Sequence, residues 1–168
     1  MIDVRTADDW ALIRTLRLGA LRDAPGAFTS SYDREAAFDE TSWRDRARTG
    51  QWFVAFDGTD AVGVACGIDG SGDGGLRREL VGMWVAPTHR RQGVAARLLD
   101  AVAGWARSQG ATTLALGVVE GNEPARLAYL TMGLVPTGEQ VPVWDDPSRF
   151  VEMMEMPLGD PRVGPSPS

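Results

Sequence analysis

The sequence predicts an α/β domain built on a mixed sheet, and three observations carry that expectation. Residues 79–85 (ELVGMWV) form a short apolar run rich in β-formers, and Thr113–Val119 forms another. Between them Val94, Ala95, Leu98, Leu99, Val102, Trp105 and Ala106 recur at helical spacing. A helix over residues 92–109 thus joins two strands as a right-handed parallel crossover, with Gly110 as its stop. Upstream, residues 51–56 and 61–68 are β-rich runs joined by Asp57-Gly58-Thr59-Asp60, an antiparallel hairpin signal.

Taken in order, residues 2–6 form a first strand. Asp8 or Asp9 then caps a helix that carries Trp10, Ile13, Leu16, Arg17 and Leu21 on one face, and Pro25-Gly26 ends it. Residues 27–33 are polar and turn-like, and a short helix covers residues 41–49. After the hairpin, residues 70–75 spell G-x-G-x-x-G. A dinucleotide fold needs a helix to open on those glycines, whereas residues 76–85 read as a strand, so the stretch is a mobile hairpin loop. Pro87 stops the strand at 79–85, having no N–H to give a ladder. A last helix covers residues 122–132, with Pro124 tolerated in its first turn. Residues 134–137 and 150–156 are terminal strands flanking a loop with Trp144-Asp145-Asp146-Pro147. Residues 1–158 make one domain, and the Gly-, Pro- and Ser-rich residues 159–168 read as a disordered tail.

Composition narrows the function. With 43% hydrophobic and 24% charged residues the chain is ordinary for a globular protein, and no apolar run is long enough to span a membrane. The N-terminus has no signal-type apolar segment. Cys66 is the single cysteine, so no internal disulfide forms and a reducing cytoplasm fits. One Cys and one His argue against zinc, and no metal is expected. A net charge of −6 argues against a nucleic-acid surface and tilts slightly toward a cationic acceptor such as an amine.

The chemistry concentrates where the strand at 79–85 turns into the central helix. A helix start leaves backbone N–H groups unpaired at the positive end of its dipole. Gly93 and Ala95 let a ligand approach the amides of Gln92, Gly93, Val94, Ala95 and Ala96, and Arg90 and Arg91 add two cations. This is either an anion site suited to phosphate or a helix start with two solvated arginines.

Arg90-x-x-Gly93-x-Ala95 resembles the R/Q-x-x-G-x-G/A signature of the GNAT superfamily of N-acetyltransferases. Asn122-x-x-Ala125-x-x-x-Tyr129-x-x-x-Gly133-Leu134 resembles that family's N-x-x-A-x-x-x-Y-x-x-x-G-F, with Leu134 for the usual Phe. The resemblance covers residues 79 to about 137. It implies a GNAT-type acyl-CoA N-acyltransferase fold, a mixed sheet of six to seven strands flanked by about four helices. It also implies acetyl-CoA as cosubstrate, held by its pyrophosphate at residues 90–96, with direct attack by an amine in a ternary complex.

The same resemblance assigns roles. Glu79 matches a position where several family members carry a catalytic base, acting through water; otherwise it is a strand carboxylate paired with Arg77 or Arg78. The strand at 79–85 would bulge and splay from Thr113–Val119, exposing main-chain groups of Met83, Trp84 and Val85, with the Val85 N–H facing the oxyanion. Tyr129 sits at the family's tyrosine beside the CoA sulfur, as acid for the leaving thiolate, or else it is a packed helix residue. Asn122 is a helix cap, a CoA contact, or both. Cys66 reads as core, and His89 either touches CoA phosphates or faces solvent. Tyr32, Asp145 and Asp146 read as surface residues in stretches that face an acceptor, which is a small-molecule amine or a protein amine. A CoA-binding module without transfer activity is the alternative, and a homodimer is left open.

Overall fold

The computed structural model describes residues 1–70 and 74–159. Its strands are β1 (Ile2–Ala7), β2 (Gln51–Asp57), β3 (Asp60–Asp69), β4 (Arg77–Val85), β5 (Thr113–Val119), β6 (Val135–Val143) and β7 (Asp146–Pro157). The helices are α1 (Trp10–Asp23), α2 (Tyr32–Ala36), α3 (Glu40–Thr49), α4 (Val94–Ser108) and α5 (Glu123–Thr131). All strands join one seven-stranded sheet in the order β1-β2-β3-β4-β5-β7-β6. Among the described strands only β4 and β5 pair in parallel, joined by α4 as the crossover rule requires.

The sheet separates two apolar layers. On one face α4 buries Val94, Leu98, Leu99, Val102, Ala103 and Ala106 against β1 to β4, and α5 packs against the same core. On the other face Ile13 and Leu16 of α1 meet Trp52, Val54, Val64 and Cys66, while Leu18 and Leu21 close over Trp43 of α3. Asp9 caps α1, accepting from the Ala11 and Leu12 amides at 2.9 and 3.3 Å.

Several expectations need correction. The central helix opens at Val94 rather than residue 92, because Gly93 takes φ +81 and forms the cap. The stretch 27–33 is not all turn: Ser31 caps the short helix α2. The terminal strands are longer than 134–137 and 150–156, and β6 and β7 meet in a tight turn at Trp144 and Asp145 instead of flanking a loop. The sequence of β6 hides a strand because Pro136, Gly138 and Pro142 are breakers anywhere but at a sheet edge, where β6 lies. The glycine run at 70–75 lies between the antiparallel strands β3 and β4, Gly70 N–H donates to Arg77 C=O at 3.1 Å, and the next described element is a strand rather than a helix. Its expected mobility at residues 71–73, and the expected disorder of residues 160–168, lie outside the described residues. No described helix is long and apolar enough to cross a membrane.

Candidate active site

The site begins with a break in the sheet. β4 pairs with β5 only over residues 77–80 against 113–116. On its other edge, Val81 lies opposite Cys66 and Trp84 opposite Val64, three steps on β4 against two on β3. One extra residue therefore bulges from β4 at Gly82–Met83, and Gly82 adopts φ +65, a conformation that glycine takes without strain. Past the bulge the two parallel strands diverge. Ala86 N–H donates to Val62 C=O at 2.8 Å, which makes the adjacent Gly63–Val85 pair a non-bonded one. The Val85 N–H consequently faces away from β3, toward the gap β5 has left. A cleft of about 290 Å³ fills the gap, lined by Glu79, Gly82, Met83, Gly117, Asn122 and Tyr129 among others.

Farther along β4, the turn into α4 presents amides. The first bond of the α4 ladder is Arg97 N–H to Gly93 C=O at 3.2 Å, which leaves the amides of Val94, Ala95 and Ala96 outside it. Arg91 (φ 61) and Gly93 (φ 81) are both left-handed, a backbone that turns successive N–H groups into one concavity. A β-carbon on Gly93 would meet nothing within 4 Å, so the space before the amides is open. Gln92 stays over the turn, its side-chain amide donating to Thr88 C=O at 3.1 Å. Arg90 does not point there as a second loose cation: its Nε donates to Val85 C=O at 3.0 Å and its guanidinium pairs with Asp23 of α1. A hydrogen bond from the Trp84 indole at 2.9 Å holds the Asp23 carboxyl below its ordinary range, and Arg90 adds to that. His89 does not reach the amides either, being bonded to Asp57 at 3.3 Å and Thr88 at 2.8 Å.

Tyr129 projects from α5 into the layer under α4 and lines the cleft. Burial pushes its phenol up to about 12, so it holds its proton throughout the neutral range. Asn122 is the cap of α5, its Oδ1 accepting Ala125 N–H at 3.4 Å, and it lines the cleft as well. Glu79 also does two things. Its side chain is 23% exposed, pairs with Arg77 at 3.4 Å and opens onto the cleft. Cys66 is core: burial pushes its thiol up to about 12, which leaves no thiolate for nucleophilic chemistry. Tyr32 is taken up by Arg22, which bonds its hydroxyl at 2.7 Å, and Asp145 and Asp146 sit at the β6–β7 turn.

Sequence reasoning missed the other wall. Glu35 of α2 is 1% exposed and receives Arg17 through Nε and Nη2 at 2.9 and 3.0 Å, and Arg46 of α3 at 2.9 and 3.3 Å. Burial alone would raise the Glu35 carboxyl; the two arginines outweigh it and hold it at about 2. The triad lines a second cavity of about 370 Å³ on the α1–α3 face, which touches the first at Gly82. A signal for it was present: Arg17 falls on the apolar face of α1, where a cation needs a buried partner.

A seven-stranded mixed sheet, opened at a bulge beside an amide-lined helix start, defines the acyl-CoA-dependent acyltransferase class. The acetyltransferase (GNAT) family model matches residues 18–134, and the chain belongs to that family. Among solved structures, nourseothricin acetyltransferase is 30% identical over 66% of this chain and 66% of its own, with a TM-score of 0.59. A GNAT acetyltransferase from Streptococcus pneumoniae is 18% identical over 95% of this chain and all of its own (100%), with a TM-score of 0.76. Spermidine N-acetyltransferase of Vibrio cholerae, solved with CoA and spermine, is 16% identical over 96% and 98%, with a TM-score of 0.72. The last two likenesses speak for the fold alone. A search of curated proteins finds no significant match.

Proposed function

We propose that the protein moves the acetyl group of acetyl-CoA to a primary amine by direct attack in a ternary complex. The observation that carries this reading is the divergence of β4 from β5 past Leu80 and Leu116, which opens a cleft along the strand that leads into the amides at the start of α4. Acetyl-CoA supplies an activated thioester. The amides of Gln92 to Ala96, with Arg91, would hold its pyrophosphate, and the main chain of Met83 and Val85, beyond the end of the β4–β5 ladder, would face its pantetheine arm, while Trp84, opposite Val64, turns its main chain to β3. In the transfer a C–N bond forms at the acetyl carbon and the C–S bond breaks. The Val85 N–H stabilises the charge developing on the carbonyl oxygen. Glu79, through water, takes the proton that the amine must lose, and Tyr129 gives one to the departing thiolate. Asn122 holds the start of α5 and so the position of Tyr129.

Two measurements test the reading. Acetyl-CoA at about 100 times its Kd should stabilise the fold by about 2.7 kcal/mol, a melting shift of roughly 5–10 °C for a domain of this size. Gly93→Glu should lose that shift, because an anion then occupies the open space before the amides. The comparison is between melts with and without acetyl-CoA, so a lower intrinsic Tm does not obscure it. A wild-type protein that ignores millimolar acetyl-CoA sinks the reading. Tyr129→Phe should retain the melting shift, since the ring still packs, yet lower kcat about 10- to 100-fold. Wild-type turnover in that variant would make Tyr129 a packing residue and nothing more.

A further inference from the structure

The charge of the whole chain and the charge of its second cavity have opposite signs. The chain carries −6, which by itself suits a cationic acceptor. The cavity on the α1–α3 face is lined by Arg17, Arg34 and Arg46 against a single carboxylate, Glu35. That carboxylate is already saturated, both oxygens being held by Arg17 and Arg46. A polyamine entering here would meet uncompensated positive charge in a partly desolvated space, where repulsion is strong.

The arginines are also arranged to receive an anion. Arg17 lies over the Phe28 ring at 4.7 Å and turns its Nε and Nη2 to Glu35. Its remaining Nη1 faces the bulge: a β-carbon placed on Gly82 would meet it at 3.6 Å. Arg17 and Gly82 line both cavities, so this N–H edge stands where the two spaces join. Arg34, exposed on α2, makes no ion pair among the described residues and lies over the Trp144 ring at 4.3 Å. Stacking fixes a guanidinium plane and leaves its edge donors available, the arrangement that suits a carboxylate.

We infer that the acceptor is an amine that also carries a carboxylate, an amino acid, whose carboxylate is held at the free edge of Arg17 with Arg34 at the mouth. Its amine then lies at the Gly82 bulge, beside the cleft that holds the thioester, and the products are an N-acetyl amino acid and CoA. This inference rests on the acetyl-transfer reading above. Arg34 is the residue to change, because replacing Arg17 or Arg46 would break the Glu35 triad and confound binding with folding.

The test compares each common amino acid with its own carboxamide, which keeps the amine and side chain but removes the negative charge. Transfer is read from release of the CoA thiol, with spermidine as a cationic control. At least one free amino acid should be acetylated with a kcat/KM roughly tenfold or more above that of its amide. Arg34→Gln should shrink that advantage severalfold while the acetyl-CoA melting shift stays. Amides that equal their acids, spermidine as the best acceptor, or an unchanged advantage in Arg34→Gln would each overturn the inference. So would a protein that shows the acetyl-CoA shift and accepts no amino acid. If the shift itself is missing, the acetyl-transfer reading fails first and the inference falls with it.

Discussion

Glutamine in place of Glu35 should destabilise the fold by about 3–5 kcal/mol at neutral pH, the range found when one partner of a buried ion pair is removed. Arg17 is 8% exposed and Glu35 1%, so the change strands a cation over the Phe28 ring with only a neutral amide to answer it. The effect should depend on pH in one direction. A carboxyl held at about 2, against an unfolded value near 4.3, adds stability that is fully present above the unfolded value. That stability drains away as pH falls from about 4.5 through 2, and it amounts to about 3 kcal/mol, in line with the first figure. Urea unfolding of both proteins at pH 7 and again near pH 3 measures this. The gap between them should narrow at the lower pH, and a gap under about 1 kcal/mol at pH 7 would mean that the triad does not hold α2 and α3 to α1.

The half of the site that the sequence spells out and the half that it hides differ for a physical reason. From β4 through α5 the information is local: a helical repeat in Val94 to Ala106, a strand of apolar residues at Thr113–Val119, and glycines at the two turns. Such periods survive in one dimension, and the family motifs lie on them. The bulge at Gly82 is a different kind of fact. It counts residues on β4 against residues on β3, and nothing within VGM says that its partner will advance by two rather than three. The Arg17–Glu35–Arg46 triad likewise joins three helices distant in sequence, and Glu35 lies in a helix of five residues, too short to show a period. In a polar stretch, a carboxylate reads as surface. Arg90 carries a partner that the sequence does not show: beside Arg91 it reads as a loose cation, and the fold brings Asp23 to it from the end of α1.

The bulge also brings two cavities with different linings together, as the proposed transfer requires. The cleft lined by Tyr129 and Asn122 and the cavity lined by the arginines share Arg17, Thr29, Val81 and Gly82, so they meet where β4 bulges. One extra residue in β4 ends the β4–β5 ladder after Leu80, and glycine at its tip keeps side-chain bulk out of the opening. Backbone irregularity placed next to chemistry is a recurrent use of bulges.

Glu79→Gln should lower the rate at pH 7 by about 10²-fold or more, within the range of a positioned base, while acetyl-CoA still binds. Glutamine keeps the size of Glu79 and can still accept a hydrogen bond from Arg77, but it cannot take a proton. An alkylamine with a pKa near 10 is almost wholly protonated at neutral pH, so the variant starves for neutral amine unless solvent provides it. Raising the pH toward 9–10 provides it, and the variant should then recover much of the gap. The pairing of Glu79 with Arg77 at 3.4 Å supplies a competing account, in which the carboxylate only braces the start of β4. That account predicts a lower Tm and a rate deficit that stays constant with pH. The deciding measurement is kcat/KM against pH for both proteins with one accepted amine. Converging profiles assign the proton to Glu79. Parallel profiles would remove it from the chemistry, and the amine would then lose its proton to water or to another carboxylate. Glu155 would be the next to test: it lies opposite Ala115 on β7, as Glu79 lies opposite Ala115 on β4, so the two carboxylates flank one small residue on the same face of the sheet.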